Sequence, residues 1–113
     1  MKHVHYDEVE LAEVTEAGAE RVKVRWLIAQ ADDAPNFYMR RFEVEPGGKT
    51  PHHTHAWEHE VYILEGEGTA FGPDGGKPFR PGDVVFVPGG EEHHFEANLG
   101  KPAVFLCLIP RVS

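Results

Sequence analysis

One cysteine, Cys107, stands in the 113 residues, so no internal disulfide can form and a reducing compartment, the cytoplasm, is the expected location. Long apolar runs are missing too. No stretch approaches the roughly 20 residues a membrane helix needs, and the first residues lack the apolar core of an export signal. Basic residues are scarce, 11 Lys and Arg against 19 Asp and Glu, and the net charge of -8 repels phosphate backbones and anionic lipid. Nucleic acid and membranes are therefore not expected as partners. Helical periodicity is absent as well, since no stretch of about ten residues keeps a 3.6-residue apolar period. A Gly-x-Ser-x-Gly elbow, a phosphate-binding loop and a Cys-x-x-Cys pair are all lacking, which removes the common nucleophile, nucleotide and zinc-ribbon chemistries.

What the chain has instead is punctuation, with 12 glycines and 9 prolines dividing short β-type runs. Val22-x-Val24-x-Trp26-x-Ile28 alternates strictly, the period of a half-buried strand. Phe37 to Glu45 is extended too, with Tyr38, Arg40, Phe42 and Val44 on one face; the apolar company of Arg40 makes it the inward arginine. Further strands are expected at Val61–Leu64, Thr69–Phe71, Val84–Val87, His93–Glu96 and Ala103–Ile109, with Gly72 to Gly76 as a hairpin loop of the Asp-Gly kind. The pattern predicts an all-β barrel or sandwich, one domain over 20–113 preceded by an arm over 1–19. A chain of this length buries roughly two thirds of its unfolded surface, enough for a single core.

The chemistry lies in the histidines. Four of the eight fall between positions 52 and 59. In an extended chain alternate side chains share a face, so His53 and His55 aim at one point while His52 and Thr54 face away. His59 has the parity of Val61 and Ile63 and turns inward with them. A fourth imidazole, His93, follows Pro81-Gly-Asp-Val-Val-Phe-Val-Pro-Gly-Gly-Glu-Glu. Four neutral nitrogens suit zinc, copper, iron or nickel by ligand softness, and manganese with help from water or carboxylate.

Together these two segments resemble the two motifs of the cupin superfamily. Gly47, His53, His55, then His59 or Glu60, and Gly66 answer the first motif; Gly82, Pro88, Gly90 and His93 answer the second. At the usual carboxylate the spacing back from Gly66 selects His59, while Glu60 fits with one residue too few; His94 competes less well with His93. The phrase His-x-His-x-Trp-Glu-His-Glu is similar to that of small manganese-binding monocupins. This resemblance implies a double-stranded β-helix (jelly-roll) barrel and a divalent metal ion, manganese first, on His53, His55, His59 and His93. Two open positions on the ion would receive water, dioxygen or substrate. Glu58 and Glu60 are candidates to orient the ligands. Phe42, Ile63, Phe105 and Cys107 would wall a substrate pocket, with Arg40 and Cys107 as its polar, catalytic candidates. The implied function is oxidative turnover of a small organic molecule. Lewis-acid lyase or isomerase chemistry and a non-catalytic sensing module are the alternatives. The apolar outer face assigned to Val104, Leu106, Leu108 and Ile109 calls for a homodimer.

Overall fold

The computed structural model describes residues 1–111; positions 112 and 113 of the expected domain lie outside the described residues. Among the described residues nine strands carry the architecture: β1 (Ala12–Glu13), β2 (Glu20–Ile28), β3 (Phe37–Lys49), β4 (His59–Glu65), β5 (Gly68–Gly72), β6 (Gly75–Phe79), β7 (Val84–Val87), β8 (His94–Ala97) and β9 (Ala103–Pro110). All pairings are antiparallel and run β6-β5-β8-β3-β9-β4-β7, with β2 also on β3 and β1 on β2. The sheet curls until its two ends, β6 and β7, face each other across a groove of about 390 Å³. Helical structure among the described residues is confined to two single 3-10 turns, Tyr6–Glu8 and Gln30–Asp32.

Alternation fills the interior. In β4 His59, Val61 and Ile63 are buried while Glu60 and Tyr62 are exposed, as a period of two requires. Phe105 of β9 is the centre of the core, stacked on Phe42 at 5.5 Å and tilted against Phe95 at 5.2 Å. Burying each such aromatic contributes about 1.5–3 kcal/mol. Ile109, expected on the outer face, is instead in the core, because it shares the parity of Phe105 and Cys107. Val104 is buried as well, which leaves Leu106 and Leu108 as the half-buried outer residues of that strand.

Two elements differ from the sequence expectation. The hairpin loop is only Pro73-Asp74, and Gly75 to Phe79 continues as β6, paired residue for residue with β5. Two glycines and a proline hid this strand; proline is tolerated because β6 is an edge. Conversely, residues 50–58 do not form a strand, and their one ladder contact is an isolated bridge from His53 to His93. The amino-terminal segment lies on the barrel: Arg25 donates to the carbonyls of Tyr6, Asp7 and Val9, and the Arg41 guanidinium sits 4.0 Å from the centre of the Tyr6 ring.

Gly66 joins β4 to β5 at φ +78°, and a Cβ there would lie 2.0 Å from the Pro102 carbonyl oxygen. Gly66→Ala is therefore expected to cost about 2–4 kcal/mol, from backbone strain plus overpacking. Gly75→Ala, at φ +99° with open space around it, should cost only about 1–2 kcal/mol. Equal losses in urea unfolding would show that the close approach to Pro102 does not limit this turn.

Candidate metal centre

Two loops meet to build the site. His53 and His93 exchange backbone hydrogen bonds of 3.3 and 3.2 Å, and the Gly90 amide donates to the His55 carbonyl at 2.6 Å. Gly89 permits this seam, because a Cβ there would fall 2.4 Å from the Ala56 carbonyl oxygen. The result is a group in which one ligating atom each from His53, His55 and His93 lies within 4.8 Å of the others. Opposite nitrogens on a shared ion stand roughly 4 Å apart when each bond is about 2.1 Å, so this trio is close to metal-binding size.

His59 borders the group, its ring 5.1 Å from that of His55 and 4.8 Å from that of His93. Its Nδ1 contacts the Arg40 Nη2 and the Cys107 Sγ, each at 3.3 Å, while its Nε2 is buried without a partner. A buried nitrogen lacking a hydrogen bond is costly, and an ion beside it would remove that cost. All-nitrogen donors also need neutral rings. Burial supplies them, pushing His59 down to about 3 with the Arg40 charge helping, and His55 down to about 4 with its histidine neighbours helping. His93 is lowered by burial too. The Cys107 thiol is raised by burial, against the opposing pull of Arg40.

Other residues fall into place around the trio. Glu16, from the segment before β2, meets the His53 Nδ1 at 2.5 Å. Nothing in its sequence surroundings marked it, since the contact spans 37 positions. Glu58 and Glu60, expected to orient ligands, are exposed instead; Glu58 is raised by a hydrogen bond to Glu60, and strand alternation turns Glu60 away from the site. His94 stacks on Phe71 at 4.6 Å and on His52 at 5.0 Å, with Glu96 holding the His94 ring at 2.8 Å and Glu92 the His52 ring at 2.7 Å. That stack is separate from the trio.

Beside the histidines opens a cleft of about 440 Å³, walled mainly by Trp26, Phe42, Phe105, Cys107 and Ile109 and closed on one side by Ala12 to Glu16. The Arg40 guanidinium lies over both Trp26, at 5.3 Å, and Phe42, at 4.8 Å, and donates to Cys107 Sγ at 3.1 Å. Ile63, expected on this wall, sits fully buried in the core opposite Phe105 and does not line the cleft. Trp57 stacks on His55 at 4.5 Å and completes the rim.

A family model for the cupin domain matches residues 40–109, from within β3 to within β9, and covers both histidine segments. The chain belongs to the cupin family. Among solved structures, the polyketide cyclase RemF from Streptomyces resistomycificus is 41% identical over 97% of this cupin and 79% of that chain, with a TM-score of 0.92. A cupin 2 conserved barrel domain protein from Rhodopseudomonas palustris is 31% identical over 92% of this chain and 72% of that one, TM-score 0.81. The 1-methylthio-D-xylulose 5-phosphate methylsulfurylase of Rhodospirillum rubrum is 37% identical over 71 residues, 63% of this cupin. That match spans 46% of the curated relative's length.

The lowered histidines set a pH dependence whose sign is fixed. An imidazole at about 3 or 4 in the folded state and 6.5 in the unfolded chain binds protons preferentially when unfolded. This contribution to stability is complete above about pH 6.5 and is lost progressively as pH falls from there toward the folded-state values of about 4 and 3. Between pH 7 and 5, where ordinary carboxylates stay charged, the Tm of metal-free protein should fall, and His59→Gln should flatten the slope. A Tm unchanged across that window would contradict neutral, buried rings.

Proposed function

We propose that this cupin is a metal-dependent enzyme that closes rings on a small molecule bearing several carbonyl groups. The observation that carries the reading is 41% identity over 97% of the chain to a polyketide cyclase, together with an all-histidine group opening into an aromatic-walled cleft. In this reading His53, His55, His59 and His93 hold a divalent ion. Manganese is the ion the motif resemblance implies; zinc, iron, copper and nickel suit the nitrogens by softness. When bound, the ion supplies Lewis acidity that polarises a carbonyl.

The chain's own residues do the rest. Trp26, Phe42 and Phe105 give a planar, conjugated substrate flat surfaces and displace water from it. Arg40, held over two rings, is the donor for an enolate or carbonyl oxygen. Cys107 acts through His59: with Nε2 given to the ion, Nδ1 would keep the proton and donate a hydrogen bond to the sulfur 3.3 Å away. Cys107 thus positions a ligand, and its burial suits a cytoplasmic, reducing setting.

Oxidation at the same centre is the second reading, favoured by a nitrogen donor set that also suits redox-active copper and iron. Elemental analysis of purified protein should find about one ion per chain, and His53→Ala, His55→Ala, His59→Ala or His93→Ala should each reduce it at least tenfold. His3→Ala should leave it unchanged. Incubation with a linear poly-β-ketone should give cyclised, dehydrated product without oxygen uptake. Oxygen consumption coupled to product would replace cyclisation with oxidation. Turnover that survives chelation would remove the metal from both readings.

We further propose that two copies of the chain pair. On the outer face of β4, β7 and β9, Tyr62 lies opposite both Val84 and Leu106, and Tyr62, Leu64, Val84 and Phe86 are all exposed. Such a contiguous apolar patch is best covered by its own copy through a two-fold axis. Light scattering should give about twice the 12.7 kDa chain mass, and Phe86→Glu should shift the protein to monomer. A monomeric parent protein at micromolar concentration would overturn the pairing.

A further inference from the structure

We propose that Glu16 is a positioning residue for the metal centre: its carboxylate takes the Nδ1–H of His53 and so commits the other ring nitrogen of His53 to the histidine group. The inference rests on the metal-centre reading above, and nothing in the matched cupin segment, which begins at residue 40, supplies this residue.

Three observations carry it. The first is the contact itself, Glu16 Oε2 to His53 Nδ1 at 2.5 Å. The second is that Glu16 is placed by backbone as well as by its own side chain. Val14 packs against the core and donates its amide to the Val22 carbonyl at 2.9 Å. The Ala19 amide closes the turn on the Glu16 carbonyl at 3.1 Å. Gly18, at φ +94°, brings this turn against Pro51 and His52, where an added Cβ would be only 3.6 Å from the Pro51 Cα. The turn bearing Glu16 is thereby docked on the loop bearing His53.

The third observation comes from the other rings. The His93 Nδ1 is engaged by the Glu91 carbonyl at 2.9 Å, the His59 Nδ1 meets Arg40 and Cys107, and the His55 ring is fixed by stacking on Trp57. Each imidazole thus has its own orienting partner, and for His53 that partner is Glu16. A carboxylate on the far nitrogen fixes the tautomer and raises the ligand's basicity; losing such a partner weakens metal binding about 10- to 100-fold. The same segment forms a wall of the cleft, so the amino-terminal turn both shapes the pocket and holds a ligand.

The experiment compares Glu16→Ala and Glu16→Gln with the parent chain, measuring zinc and manganese affinity by chelator competition. Nitrogen-15 shifts of the His53 ring are recorded in metal-free protein alongside. Glu16→Ala should weaken metal binding 10- to 100-fold, and Glu16→Gln less, because its amide oxygen still accepts from Nδ1–H. In a His53→Ala background Glu16→Ala should add no further loss. The metal-free ring should show protonated Nδ1 in the parent and a mixture of tautomers in Glu16→Ala. Unchanged ring shifts, or an equal loss of affinity in the His53→Ala background, would overturn the proposal. If the parent chain itself binds neither metal, the metal-centre reading fails and the positioning role fails with it. The ring shifts then still report separately whether Glu16 holds the His53 tautomer.

Discussion

The seam between the two histidine segments is the constraint on which the rest of the structure depends. The paired backbone hydrogen bonds between His53 and His93, with the Gly90 amide on the His55 carbonyl and the Thr50 amide on the Phe95 carbonyl, join the loop before β4 to the segment entering β8. Residues 50–58 have no other ladder contact, so they take their shape from this bridge, from Gly90 beneath His55 and from the close approach of Gly89 to Ala56. A barrel of strongly paired strands supplies the rigidity that such a sparse junction lacks. The site is irregular backbone suspended between regular elements, a common arrangement for function, because a ladder would hold side chains at strand spacing rather than converging on a point.

Convergence has an energetic cost that the surrounding groups offset only in part. His59 is buried with one nitrogen between a guanidinium and a thiol and the other unpartnered. Arg40 can only donate, so in the metal-free state it draws the imidazole proton away from Nδ1 toward the unpartnered nitrogen. That arrangement is locally frustrated, because the protonated Nε2 is buried with no acceptor. The aromatic rings beneath Arg40 keep its charge at the cleft rather than in bulk water.

Much of this was legible in the sequence. Period-two alternation located β2 and β3, short apolar runs between turn residues located β4, β7 and β9, and glycine spacing selected His53, His55 and His93, the three that the structure brings together. The turn residues also explain why β6 was missed: it is an edge strand, paired only with β5, and buries Phe79 but none of Gly75 to Pro78, so it had no need of an apolar period; the two-residue β1 within the expected arm was missed as well. Ile109 was assigned outward against its own parity, which is that of Phe105 and Cys107; Ile63 has inward parity but is fully buried in the core, because alternation tells which face a residue occupies and not how deep it lies. Glu16 was illegible for a different reason. Its contact with His53 depends on how a turn outside the matched domain packs, and no local period encodes that.

The order of strands in space carries a consequence for assembly in time. β9 comes late in sequence yet lies at the middle of the sheet, between β3 and β4, and it delivers Phe105 to the core and Cys107 to His59. Its register with β3, from Phe37↔Pro110 to Val44↔Ala103, closes a loop of most of the chain. Contacts so distant in sequence form slowly, since their loop entropy is spent before any packing is gained. A growing chain that has exposed both histidine segments but not β9 has its ligands without their scaffold. Construction of the centre is thus a final step of folding, and the ordering of a single strand separates a loose set of imidazoles from a pocket able to hold them in place.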